Sequence, residues 1–167
     1  MTTPTKRRQS VTAEGTYVDQ EIDGVRVRSA LTHPDKRGTV CEIFNPEWDF
    51  SDKPLVYVYE ITIRPGVIKG WVKHDHQDDR LFIANGRVRV VLYDGRDDSP
   101  TSGLVTERSF DEHTRALVLI PEGVWHAIEN IGLTDAQLIN SPTRAYRHDE
   151  PDKWELPLDT DQIPFTF

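Results

Sequence analysis

The stretch NGRVRVVLYD, Asn85–Asp94, decides the fold class. Val88, Val90 and Leu92 point one way and Arg87 and Arg89 the other, the period of a half-buried strand. Asn85-Gly86, just before it, is a hairpin-turn signal, because Gly and Asn tolerate positive φ. Outward from here the same punctuation recurs at Asp23-Gly24, Arg37-Gly38, Asn45-Pro46, Pro65-Gly66, Asp94-Gly95, Ser99-Pro100, Pro121-Glu122-Gly123 and Ile131-Gly132. Between these turns lie short runs rich in β-branched and aromatic residues: VRVRSAL, TVCEIF, LVYVYEITI, LFIA, RALVLI, VWHAIEN and AQLIN. No long segment has a helical period, and RHDEPDKWELP is expected to hold one turn of helix at most. Short strands between frequent turns predict an all-β sandwich or barrel.

The bulk numbers agree. A chain of 167 residues suits one domain. Residues 1–15 are small and polar and are expected to form a flexible tail, leaving 16–167 as the single domain. The net charge of −8 argues against a nucleic-acid partner, but a few arginines can still build a local site for an anionic small molecule. One cysteine, Cys41, excludes an intrachain disulfide and fits a reducing compartment with a buried, inert thiol. The N-terminus has no apolar h-region, and no run approaches the roughly 18 apolar residues of a membrane span. The expectation is a cytoplasmic protein with no membrane partner.

Two polar stretches carry the chemistry. In KGWVKHDHQDDRLFIANG, Lys69–Gly86, a regular strand would put His74 and His76 on one face with Gly70 and Val72. In PEGVWHAIEN, Pro121–Asn130, Pro and Gly build a tight turn, and the next strand puts Val124, His126 and Ile128 on one face. Trp71 and Trp125 fall out of phase with the histidines and are expected between sheets or at a dimer interface. His33, His113 and His148 lie beside turn-formers and charges and read as surface residues.

The second stretch resembles the later motif of the cupin superfamily, P-x-G-x-x-H-x-x-x-N, in full. The first resembles the earlier cupin motif in part, with Arg80 where a glutamate metal ligand belongs. The resemblance implies a cupin jelly-roll barrel of two antiparallel sheets with little helix. In a metal-dependent cupin, His74, His76 and His126 would bind one divalent metal ion.

A second resemblance covers more of the chain. DKRGTVCEIF, GVIKGWV, LYDGRDDSPTSG, IPEGVWHAI and LPLDTDQIPFTF, in this order, resemble segments of the dTDP-4-dehydrorhamnose 3,5-epimerase family. These are cupins without metal or other cofactor that act on nucleotide-linked 4-keto sugars as homodimers, with N-terminal segments crossing between subunits. The resemblance implies that Arg37 helps to hold the nucleotide diphosphate across that interface and that Glu42 is a substrate-binding residue. It also implies that Lys69 holds the diphosphate, that Arg80 stabilises the enolate, that His126 is catalytic, and that Asp159 orients the base. The family's base position falls on Val72 and its tyrosine acid near Ile139 or Asn140, and Val and Ile move no proton. His74, two residues beyond Val72 on the same face, is the substitute base, and His76 falls on a substrate-binding position. Tyr146 and Tyr57 are candidates for the missing acid. Three functions follow: a metal-free epimerase or isomerase of a dTDP-4-keto-6-deoxy sugar, short of the double epimerisation; a metal-dependent cupin enzyme on three histidines; or a non-catalytic sugar-nucleotide binder.

Overall fold

The computed structural model describes residues 12–14 and 20–167; the tail expected over 1–15 lies largely outside them. The strands are β1 (Arg26–Ser29), β2 (Thr32–Asp35), β3 (Gly38–Cys41), β4 (Tyr59–Ile63), β5 (Ile68–Lys73), β6 (Asp79–Asn85), β7 (Val88–Asp94), β8 (Val105–Phe110), β9 (Ala116–Ile120), β10 (Val124–Asn130), β11 (Ala136–Asn140) and β12 (Trp154–Glu155). They form two five-stranded antiparallel sheets, β1-β9-β6-β11-β4 and β12-β5-β10-β7-β8, and β2 and β3 form a separate hairpin. This is an all-β barrel, as the turn spacing predicts, with the two-sheet jelly roll that the cupin resemblance implies.

The alternating patterns explain the closure. Leu81, Ile83, Val118, Ile120, Leu138 and Ile63 of one sheet meet Val88, Val90, Leu92, Val124 and Ile128 of the other in one buried core. Both outer faces are also covered. Segment 41–50 lays Ile43, Phe44, Trp48 and Phe50 over Phe82, Leu117 and Leu119. The C-terminal segment lays Leu156, Leu158, Phe165 and Phe167 over Trp71, Val91 and Ala127. Trp71 is fully buried, with the rings of Phe165 and Phe167 at 6.2 and 5.5 Å. It therefore packs beneath the chain's own end rather than between the sheets.

One local expectation changes. Asn85-Gly86 is not a hairpin turn, because β6 and β7 belong to different sheets. Gly86, at φ 85°, turns the chain across the barrel, and a Cβ there would stand 2.7 Å from the Ala136 Cα. The RHDEPDKWELP segment forms bends and β12, within the limit of one helical turn expected for it, and the 3-10 turn lies at Pro46–Trp48, capped by Asn45. Cys41 is a half-buried thiol at the end of the hairpin.

The segment LYDGRDDSPTSG proves to be a structural knot. The fully buried Asp94 carboxylate accepts from Arg96 Nε at 2.8 Å, Ser99 Oγ at 2.5 Å and Thr101 Oγ1 at 2.6 Å. Burial works to raise this carboxyl, but the bonds from Arg96, Ser99 and Thr101 outweigh it and hold it well below the usual carboxylate range. Its contribution to stability is therefore complete above the unfolded-state value of about 4 and is lost as pH falls through the depressed folded value. Asp94→Ala is expected to cost about 3 kcal/mol by stranding buried donors and the guanidinium. Urea unfolding should show that cost at neutral pH and a smaller one below about pH 3; equal costs at both would overturn this account.

Candidate active site

One end of the barrel interior gathers the polar residues. The end of β5, the start of β6, the first half of β10, the end of β11 and the start of β4 all open there. β5 stops at Lys73, and the chain bends through residues 74–78 before β6 begins at Asp79. That bend separates the two histidines. His74 turns inward, while His76 is exposed.

The bend is fastened at both sides. Gly123 N–H donates to the His74 carbonyl at 2.7 Å. The Asp152 carboxylate accepts the backbone N–H groups of Asp75 and His76 at 2.9 and 2.8 Å. The Asp152 carbonyl accepts from His74 Nδ1. Because Nδ1 is committed to that carbonyl, Nε2 is aimed at Asp79 Oδ2, 3.4 Å away. His126 Nε2 lies 3.5 Å from the same oxygen, and its own Nδ1 has the Val124 carbonyl at 3.4 Å. The two imidazole centroids are 5.5 Å apart. Gly70 permits this approach of β5 to β10: at φ 141°, any Cβ would stand 2.5 Å from Ala127 Cβ and 2.8 Å from the His126 carbonyl.

Environment separates the two imidazoles. For His74, burial works to lower the pKa, but the hydrogen bond and charge of Asp79 outweigh it, and the pKa ends above its ordinary value. Burial pushes His126 below its ordinary value. For Asp79, burial works to raise the carboxyl, and the hydrogen bond from His74 with the nearby imidazoles brings it down. Of the two imidazoles His74 is thus the more readily protonated and His126 the more readily neutral, a pairing suited to a proton donor and a proton acceptor at one site.

The facing sheet adds two more polar groups. Asn140 is 1% exposed and pairs in register with Tyr59 across β11 and β4. Its Nδ2 donates to Tyr59 Oη at 2.9 Å, and the same amide helps to hold Asp79 low. Burial, with the Asp79 charge, pushes the Tyr59 phenol up to about 12.

The other sequence candidates lie elsewhere. Arg80 is fully buried but faces away from Asp79, as adjacent strand residues must. It donates to the carbonyls of Ser141, Lys53 and Pro54 at 2.8 Å and to that of Pro142 at 3.5 Å, under the Phe44 ring. It therefore has no line to the imidazoles. Asp159 is exposed, next to Leu158 on the outer face of the β5–β10 sheet, and the groups that meet His74 are Asp79 and Asp152. Arg37 stands at the tip of the β2–β3 hairpin, paired with Asp35 at 2.6 Å. Glu42 lines a groove with Arg26, Arg28 and Trp48 on the outer face of the other sheet. Lys69 and Tyr146 are exposed. The histidine set His74, His76, His126 is not assembled. The donor set that is assembled is His74, Asp79 and His126, with ligand atoms within 4.8 Å of one another. Two imidazoles and a carboxylate fit a divalent transition metal with open positions.

Comparison with known proteins follows the same lines. The model of the dTDP-4-dehydrorhamnose 3,5-epimerase family matches residues 19–156. The chain is 36% identical over 140 residues to the probable low-salt glycan biosynthesis epimerase Agl13 of Haloferax volcanii, covering 83% of this chain and 89% of that one. It is 35% identical over 146 residues to the spore coat polysaccharide biosynthesis protein SpsL of Bacillus subtilis, covering 87% and 96%. A crystal structure of a dTDP sugar isomerase from Desulfovibrio desulfuricans superposes with a TM-score of 0.81 at 25% identity, over 87% of this chain and 91% of that one.

Proposed function

Because the chain belongs to the dTDP-4-dehydrorhamnose 3,5-epimerase family, we propose that it removes and returns a proton next to the ketone of a dTDP-4-keto-6-deoxy sugar, short of the family's double epimerisation. The convergence of His74 and His126 on Asp79 carries this reading. Neutral His126 takes the proton from the carbon beside the ketone, and the C–H electron pair moves into the enolate. The His74 imidazolium, held by Asp79, faces the enolate oxygen and offsets its charge. No cofactor enters these steps. Arg37, Glu42 and Lys69 remain the groups proposed for the nucleotide and its diphosphate.

A homodimer accompanies the proposal. The β2–β3 hairpin is exposed along nearly its whole length, and Leu31 and Val40 are 71% and 67% exposed. An isolated two-stranded hairpin is marginal in water, so a second copy is its natural support. In that arrangement Arg37 and Glu42 serve the site of the other subunit.

The test is incubation with dTDP-4-keto-6-deoxyglucose in D₂O, followed by proton NMR. A ring-proton signal beside the ketone is expected to disappear at a rate that chelator does not change. Binding of the sugar nucleotide without exchange would leave a non-catalytic binder. The His74, Asp79, His126 donor set supports a second reading, a divalent metal held by these three residues that polarises the ketone. Near-stoichiometric metal by elemental mass spectrometry, lost on His74→Ala together with exchange, would replace the first reading with the second.

A further inference from the structure

We propose, resting on the epimerase reading above, that Tyr59 is the catalytic acid that delivers the new proton on the face opposite the imidazoles, with Asn140 as its positioning residue. Inverting a carbon needs the proton removed on one face and supplied on the other. The imidazoles come from β10 and the end of β5, in one sheet. Tyr59 and Asn140 come from β4 and β11, in the facing sheet. Tyr59 shares the phase of Ile61 and Ile63, which belong to the interior core. Its side chain thus enters the same end of the barrel from the opposite wall.

The bonding at Asn140 gives the direction. Asn140 Nδ2 donates to Tyr59 Oη, so the phenol proton is free to be donated elsewhere. The Asp79 carboxylate holds the amide in this orientation, since an amide oxygen turned toward it would be repelled. Asn140 Oδ1 is left buried and, among the described residues, without a hydrogen-bond partner. A phenol pushed up to about 12 keeps its proton at neutral pH, as a donor must.

The step balances. His126 removes the proton and the enolate forms. The enolate carbon then takes the Tyr59 proton as the O–H bond breaks and the C–H bond forms on the other face. Water reprotonates the tyrosinate and accepts the proton held by His126.

Tyr59→Phe tests the assignment with the same substrate in D₂O. Exchange of the ring proton is expected to persist at close to the wild-type rate with retained configuration, while formation of the inverted product falls about 100-fold. KM is expected to change far less than kcat. Asn140→Ser, with the phenol left in place, should reduce inversion by a smaller factor, because the shorter hydroxyl no longer reaches Tyr59 Oη to orient it. Inversion by Tyr59→Phe at the wild-type rate would overturn the proposal while leaving the epimerase reading intact. Loss of exchange and inversion together in a folded Tyr59→Phe protein would also overturn it, since Tyr59 would then serve the first step. A wild-type protein that exchanges no proton would remove both readings.

Discussion

Asp79→Asn is expected to lower the rate of solvent exchange about 1,000-fold while the barrel remains folded. Asparagine keeps the shape but removes the charge on which both imidazoles converge. His74 then loses the interaction that holds its pKa above the ordinary value, and burial alone remains to lower it. The imidazolium population at neutral pH falls. The residual rate of the variant should therefore rise as pH is lowered, whereas the wild type keeps the protonated form to higher pH. Rate profiles of the two proteins, with circular dichroism as the check on folding, measure this. A variant that exchanges at the wild-type rate would remove Asp79 from the mechanism.

Arg80→Met should act on stability instead of chemistry. The guanidinium holds carbonyls of two loops, Lys53-Pro54 and Ser141-Pro142. Removing it leaves buried acceptors without donors, at a cost of about 3 kcal/mol or more. For a domain of this size that corresponds to a fall in Tm of roughly 10 °C. Lysine would rescue little, since one ammonium cannot span a planar fork of acceptors. A variant with unchanged Tm and lost exchange would restore Arg80 to the catalytic role that sequence resemblance implied.

These two neighbours show what the sequence could and could not reveal. Alternation predicted the barrel and the inward face of β10, because Val124, His126 and Ile128 keep strict phase. The same rule failed at His76, because it assumed that β5 continued past Lys73. The chain bends there, and the Asp152 carboxylate that secures the bend lies 76 residues from His76, beyond the reach of any local pattern. The bend also brings Asp79, rather than Arg80, to the inner face. Tyr59 and Asn140 were more legible than they seemed. YEITI and AQLIN each carry a polar residue on the apolar phase, next to Ile61 and Ile63 in one and to Ala136 and Leu138 in the other. The most distinctive segment, LYDGRDDSPTSG, turned out to serve the fold. Its Arg96 packs against Gly123, whose N–H holds His74, so its influence on the site is at second hand.

The Asp152 clasp also bears on the order in which the molecule becomes competent. Every strand that walls the barrel interior beside the imidazoles, from β4 through β11, is complete by Asn140. The carbonyl that sets the His74 ring, and the carboxylate that holds the bend beneath it, come only at residue 152. A nascent chain can therefore close its barrel before it owns an oriented imidazole. Chemistry waits for residues 152–167 to emerge, pair Trp154 and Glu155 with β5, and lay Phe165 and Phe167 over Trp71. The emergence of residues 152–167 is thus also the moment at which the site is set.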